Sequence, residues 1–260
     1  MDVSQTYPVA WPGFERAAQT GALELAVSEA AYGGGPRPAR VTALLAAFLD
    51  RIDGIKVDEP LIWSLSIGSR EWLVQQIAAL CRPQPDWFDC TCPDCSEVFD
   101  ISLDLAQMPR ADVPEGFPRV SVDTDNGQRS FRVPNGLDEV AVLRAQEDAR
   151  RLLLDRCCED PEALREISDD QLEALEIALD HQSPDCSDIV TTSCPACLAE
   201  IAARVDPLAY AFPDETAVLT DVHLLGRSYQ WREADILALP SARRQAYVKM
   251  ITSPTQGARL

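Results

Sequence analysis

Two short segments carry the residues best suited to chemistry: Cys92-Pro-Asp-Cys95 and Cys194-Pro-Ala-Cys197. Cysteines separated by two residues on a tight turn can aim both thiolates at one ion, and two such turns complete a closed tetrahedral site. Four sulfurs with no open position suit structural zinc, which stabilises a fold without binding water or substrate. The flanks of the two motifs repeat as well. Aligned on the cysteines, Phe99 falls on Ile201, Ile101 on Ala203, Leu103 on Val205 and Asp104 on Asp206. Apolar residues at every second position line one face of a strand, so each segment reads as strand, Cys-Pro-x-Cys turn, strand. One zinc ion per chain on Cys92, Cys95, Cys194 and Cys197 is the resulting expectation.

Other thiol chemistry is open to these residues. A redox Cys-x-x-Cys normally begins a helix, whose dipole lowers the thiol pKa, and the strands expected after both motifs argue against that use. Cys90 rivals Cys92 for the first ligand position, but the repeat aligns it with Thr192. Cys81, Cys157, Cys158 and Cys186 read as buried thiols. An odd total of nine cysteines cannot pair fully within one chain, and it favours metal or free thiols over disulfides, with the cytoplasm as the expected compartment.

No catalytic constellation accompanies these motifs. The two histidines, His181 and His223, both fall on expected helices, His181 near a helix end where an imidazolium meets the dipole favourably. No G-x-S-x-G elbow, phosphate-binding glycine loop or His-Glu-x-x-His pattern is present. The chain is therefore expected not to be an enzyme.

The elements that must position the four cysteines alternate between helix and strand. A helix is expected over 14–31, then a linker or domain edge at Gly33-Gly-Gly-Pro-Arg-Pro38. Helical patterns follow in 41–52 and 69–81, the second with Trp72, Leu73, Ile77 and Leu80 at helical spacing. Strands are expected at 87–91 and 98–103 around the first motif. A second hairpin, 119–123 with 129–133, is signalled by Asp125-Asn-Gly127. The pattern then turns helical from 137 to about 180, with a capping box at Ser168-Asp-Asp-Gln171. Strands return at 189–192 and 200–205, and short helices at 216–228, 233–239 and 242–251 close the chain. The fold class is α+β: mostly helical, with a split zinc ribbon made of two Cys-Pro-x-Cys hairpins enclosing a helical insertion. The expected divisions are a variable segment 1–38, a helical region 39–82, the split ribbon 83–212 with its insertion at about 106–188, and a short-helix region 213–260.

Charge narrows the partners. The 260 residues carry 42 acidic and 23 basic side chains, a formal net charge of −19. Such a surface repels nucleic acid and anionic membranes. No apolar run approaches the roughly 20 residues of a membrane span, and the first residues lack the basic and apolar regions of a secretory signal. The distribution is uneven, because from Val222 onward the chain is net positive. That basic stretch leaves a zinc-ribbon nucleic-acid binder as the alternative to a protein-binding role. Within it Trp231, Ile236, Leu237 and Leu239 form an apolar cluster, which suits either packing onto the core or docking a partner.

The order of parts and the closing residues resemble one family. The quoted motifs are His223-Leu-Leu, Tyr229-x-Trp231, Asp235-Ile-Leu-Ala-Leu-Pro240 and Arg243-Arg244-x-x-Tyr247, with 66–83 before the first cysteine turn. Over residues 40–252 the chain resembles the baseplate hub assembly proteins of contractile-tailed phages and bacterial contractile injection systems. The resemblance implies a chaperone-like factor or minor component that binds baseplate hub or spike proteins, in the cytoplasm or incorporated into the tail, with no enzymatic activity. It directs attention to Trp231, Ile236, Leu237, Arg243, Arg244 and Tyr247 as partner-binding residues, and leaves the oligomeric state open. One departure is specific: the family's turns usually read Cys-Pro-x-Cys-Gly, whereas Ser96 and Leu198 stand here in place of glycine, which would ease the turn.

Overall fold

Side chains that cap and side chains that break set most element ends in the computed structural model, which describes residues 4–82, 85–124, 127–145, 148–159 and 168–253. Helix α1 (Gly21–Tyr32) opens where the Thr20 hydroxyl accepts from the Leu23 N–H, and α2 (Arg37–Phe48) opens with Pro38 in its first turn. The glycines between them join two helices that pack against each other. After α3 (Glu59–Ser64), α4 (Ile67–Cys81) starts on the Ser66 hydroxyl, which accepts from Ser69 N–H, and buries Leu73, Val74, Ile77 and Ala78.

Two sequence expectations are corrected here. Phe14–Arg16 is a strand, β1, not the start of a helix, and the helix expected over 41–52 ends at Phe48. Leu49–Ile52 forms β2 and Ile55–Lys56 forms β3, giving an antiparallel sheet in the order β1-β2-β3. The cause is the Asp53-Gly54 turn, with φ of 47° and 78°. Two left-handed residues in succession turn a chain back on itself as a tight hairpin. Asp53 also accepts from Gly13 N–H at 2.7 Å and from the Tyr7 hydroxyl at 3.1 Å, drawing the N-terminal segment onto the sheet.

The remaining strands form three separate two-stranded antiparallel hairpins: β4 (Asp86–Thr91) with β5 (Val98–Leu103), β6 (Arg119–Thr124) with β7 (Gly127–Arg132), and β8 (Ile189–Ser193) with β9 (Glu200–Arg204). Gly127 closes the middle hairpin at φ 98°, as its turn signal predicts, while 125–126 lie outside the described residues. Between the first and third hairpins come α5 (Gly136–Arg144), α6 (Ala149–Cys157) and α7 (Asp169–Gln182). The expected capping box at Ser168 is present: its hydroxyl accepts from Gln171 N–H and the Gln171 side chain accepts from Ser168 N–H. The part of the expected helical run at 160–167 lies outside the described residues. Helices α8 (Glu215–Tyr229), α9 (Glu233–Leu237) and α10 (Ser241–Thr252) follow.

Two apolar clusters organise these elements. The larger runs from Tyr7 to Phe212 and joins α1, α2 and α4 to the inner faces of the first and third hairpins. The smaller, with Phe131, Leu154, Leu172, Leu175 and Leu179, belongs to the segment between those hairpins. That segment leaves and rejoins the body through paired chain: Arg110 bridges Cys186, and Ala111 N–H donates to Asp185 O at 2.9 Å. The fold is thus a mixture of helices and small antiparallel sheets. Among the described residues no helix is long and apolar enough to cross a membrane.

Candidate metal centre

Local backbone geometry places the four cysteines, and it is the same in both hairpins. Cys92 N–H donates to Glu97 O at 2.9 Å and Ser96 N–H to Cys92 O at 3.0 Å. In the third hairpin Cys194 N–H donates to Ala199 O at 2.9 Å and Leu198 N–H to Cys194 O at 3.0 Å. Ser96 and Leu198 both sit at φ 62°, the left-handed conformation that glycine adopts without strain. The positions where the sequence departs from Cys-Pro-x-Cys-Gly are therefore those where glycine is useful, and two L-residues hold the turn in its place.

Pairing outside the turns repeats too. Cys90 faces Phe99 as Thr192 faces Ile201, and Phe88 faces Ile101 as Val190 faces Ala203. The repeat continues beyond the strands. Asp104 caps a 3-10 turn, Leu105–Gln107, by accepting from Ala106 N–H at 3.0 Å. Asp206 caps Pro207–Ala209 by accepting from Leu208 N–H at 3.1 Å. Both 3-10 turns pack on α4.

The two turns meet tip to tip. Sγ of Cys92 lies 3.6 Å from Sγ of Cys197, Sγ of Cys95 lies 3.6 Å from Sγ of Cys194, and all four lie within 4.8 Å of one another. Four thiolates at about 2.3 Å from a central ion stand about 3.8 Å apart at the corners of a tetrahedron. The cluster is therefore close enough to hold a metal ion, and its donor set is all sulfur. Ala196 N–H points at Cys194 Sγ at 3.4 Å. Backbone N–H groups of Cys197 and, after the opposing effect of burial, Ala196 lower the Cys194 thiol to about 7, with Cys95 and Cys197 contributing. Such N–H donors favour the thiolate at Cys194, whereas, against the backbone N–H groups of Glu97 and Ala199, the neighbouring sulfurs hold Cys95 and Cys197 up. Cys92 and Cys194 are buried, while Cys95 and Cys197 face solvent.

Cys90 lies outside the cluster, buried in the larger core. Cys157, Cys158 and Cys186 are buried and Cys81 is half-buried. Burial pushes Cys81 up to about 11 and Cys157 and Cys186 up to about 12, which keeps these thiols protonated. His181 and His223 are both exposed, on α7 and α8, and among the described residues neither joins a cluster of metal-ligand-type residues.

The C-terminal residues divide into two sets. Ile236 is fully buried, Leu237 half-buried, and Arg244 is 1% exposed. Arg244 donates to Asp221 at 3.0 Å and to Glu24, and its guanidinium lies against Gly21, where any Cβ would clash at 2.6 Å. Ser241 N–H donates to Gln19 O at 2.9 Å. These contacts fasten α9 and α10 to α1, so for Ile236, Leu237 and Arg244 the partner-binding expectation gives way to a packing role. Trp231 and Tyr247 stay at the surface with Tyr229: Tyr229 stacks on Trp231 with ring centroids 4.9 Å apart, and Tyr247 meets Trp231 edge-on at 5.0 Å. Arg243 is exposed.

One key residue escaped sequence reading. Arg70 is 1% exposed and donates to Ile62 O at 3.1 Å, Pro38 O at 2.7 Å and Thr42 Oγ1 at 2.9 Å, with its guanidinium 5.0 Å from the Trp63 ring centroid. Burial lowers it to about 10, against the partial offset of Glu139 and Glu71. One cation thus ties α2, α3 and α4 together beneath the sulfur cluster's support. Flanked by Ser69 and Glu71, Arg70 reads in sequence as an ordinary surface arginine.

No known protein family, curated protein or solved structure matches this chain.

Proposed function

We propose that the chain is a non-catalytic assembly factor, chaperone-like or a minor structural component, for the baseplate hub or spike of a contractile phage tail or injection system. One structural zinc on Cys92, Cys95, Cys194 and Cys197 stabilises it. The observation that carries the structural part is the tip-to-tip meeting of two equivalent turns with all four sulfurs within 4.8 Å. Zinc fits because it accepts four thiolates in a tetrahedron, with no position left for substrate. In this reading the first and third hairpins are the halves of a split zinc ribbon.

The chain's own residues supply everything except the ion's charge. The 92–95 and 194–197 turns present the sulfurs, N–H groups orient them, and the Asp104 and Asp206 caps fix both hairpins on α4. The ion then closes the loop 96–193. Holding the ends of a loop of about 100 residues is worth roughly 4–5 kcal/mol in chain entropy, well within the order of 10 kcal/mol that structural zinc supplies.

The assembly role rests on the resemblance of the closing motifs, and the surface is compatible with it: exposed Tyr229, half-buried Trp231 and Tyr247, and Arg243 are residue types that anchor protein interfaces. A nucleic-acid role fits poorly. The ribbon hairpins expose Asp89, Asp94, Glu97, Asp100 and Glu200, which would repel phosphate.

The test is affinity purification of the tagged protein from its native host, with mass spectrometry of what accompanies it. Hub, spike or other baseplate proteins at near-stoichiometric levels are expected. Nucleic acid with ribosomal or transcription proteins, supported by a tight and salt-sensitive gel shift, would replace this reading with the nucleic-acid one.

A further inference from the structure

Two helices present complementary faces to solvent. On α7, Glu173, Ile177 and Asp180 follow one another at i, i+4 and i+7 and lie on one side. All three are exposed, Ile177 at 64%. Neither carboxylate has a hydrogen-bond or ion-pair partner among the described residues; the ion pair of α7 is made by Glu176 with Arg150. The other side of α7 is spent on the smaller core through Leu172, Leu175 and Leu179.

Helix α10 is the opposite in sign. It contains no acidic residue. Its inner side is occupied by Arg244, and its outward arc carries Arg243, Ala246, Lys249 and Met250, all exposed, Met250 at 68%. Neither Arg243 nor Lys249 has a partner among the described residues. An apolar strip flanked by cations on α10 therefore matches an apolar residue flanked by carboxylates on α7. Ala246 leaves room for the bulk of Ile177 at the 8–10 Å spacing of packed helices.

We infer that α7 of one copy docks on α10 of a second copy, so that the chain self-associates through this helix pair. A single three-turn helix contact is small against the roughly 1,600 Å² of a standard interface. Repeated about a twofold axis, α7 on α10 and α10 on α7, the contact would close the assembly as a dimer. The overall charge of −19 opposes the encounter of two copies. At ~0.15 M salt, charges beyond about 8 Å are screened while the contact pairs persist, so the complementarity of the faces decides the outcome. The inference concerns oligomeric state; it shares Arg243 with the surface named for the assembly reading, while Glu173 and Met250 test it away from that surface.

The experiment is sedimentation velocity on the full chain in ~0.15 M salt, at concentrations up to ~100 µM to cover the weak end of specific interfaces. A dimer is expected. Arg243→Glu and Glu173→Arg should each weaken it at least about tenfold, and the double variant should restore it, because the pair is exchanged and not lost. Met250→Asp provides a second disruption that leaves those charges in place. All positions are exposed, and an unchanged thermal melt of each variant confirms folding. A chain that stays monomeric overturns the inference, as does a dimer indifferent to the reversals or one that the double variant fails to restore. A monomer whose α10 amide signals shift on titration with a Glu/Leu helical peptide, and not with its Lys/Leu counterpart, assigns the face to a different acidic partner and also overturns it.

Discussion

The first and third hairpins share their turns, register and caps, yet almost none of their side chains. Around the first motif stand Trp87, Phe88, Cys90, Phe99 and Ile101; the equivalent positions of the third hold Ile189, Val190, Thr192, Ile201 and Ala203. Phe88 is 7% exposed and meets Tyr210 edge-on at 4.5 Å, whereas Val190 is half-buried. What the two retain is what one ion and one short turn require: Cys-Pro-x-Cys, a left-handed residue after it, and an aspartate cap. Both hairpins enter the same larger core, but with side chains of different size and burial. The cysteine turns are common to both hairpins, and local packing distinguishes the strands.

That contrast is most open to test at the sulfurs. Cys92→Ser and Cys194→Ser should each abolish stoichiometric zinc, measured by plasma mass spectrometry, and lower the melting temperature to that of chelator-treated wild type. The stability at stake is on the order of 10 kcal/mol. Equal losses in the two variants are expected, and full zinc retention in either would break the four-cysteine assignment. In the strands the hairpins should part company. Phe88→Ala should cost about 3 kcal/mol in urea unfolding, and Val190→Ala about 1 kcal/mol. Similar costs would mean that both hairpins rest on equivalent cores.

The caps should differ by less. Asp104 only caps, and its loss to Ala should cost about 1 kcal/mol. Asp206 also receives Arg37 at 3.1 Å, with Glu71 on the same guanidinium. Its side chain is 38% exposed, so the ion pair adds at most about 1 kcal/mol to the cap. Despite the opposing effect of burial, Arg37 and the Leu208 N–H hold Asp206 below its ordinary 3.8. A carboxylate depressed in the folded state stabilises above its unfolded pKa and loses that contribution as pH falls through the folded value. The stability gap between wild type and Asp206→Asn should therefore be full at pH 7 and shrink below about pH 4. A gap independent of pH would show that charge at Asp206 is irrelevant. The smallest effects belong to the turns: Ser96→Gly and Leu198→Gly should each stabilise by about 0.5–1 kcal/mol by relieving the left-handed backbone, measured on the metal-loaded protein.

Much of this centre could be read from sequence because its constraints are local. Two residues between cysteines and alternating apolar positions specify a turn and a strand without reference to the rest of the chain, whereas the aligned Asp104 and Asp206 show themselves as caps only in the structure. The alignment of Cys90 with Thr192 excluded the fifth thiol from the cluster for the same reason. Elsewhere the deciding interactions were distant. Residues 41–52 are apolar on most faces, so their periodicity could not show where the helix stops; the pairing of Leu49–Ile52 with Phe14–Arg16 stops it. Asp53-Gly54 between Ile52 and Ile55 was the available hairpin signal. The apolar cluster with Ile236 and Leu237 suited packing or docking alike, and Arg244 gave no sign in sequence of being turned inward, since its contacts, Glu24 and Gly21 among them, come from the other end of the chain.

The spacing of the two turns also has a consequence in time. At synthesis rates of roughly 5–20 residues per second, Cys92 and Cys95 leave the ribosome roughly 5–20 s before Cys194 and Cys197. Through that interval the nascent protein offers only two of the four clustered thiols, free to react with another thiol. The order of synthesis thus makes the second turn the step that commits the chain to its native closure.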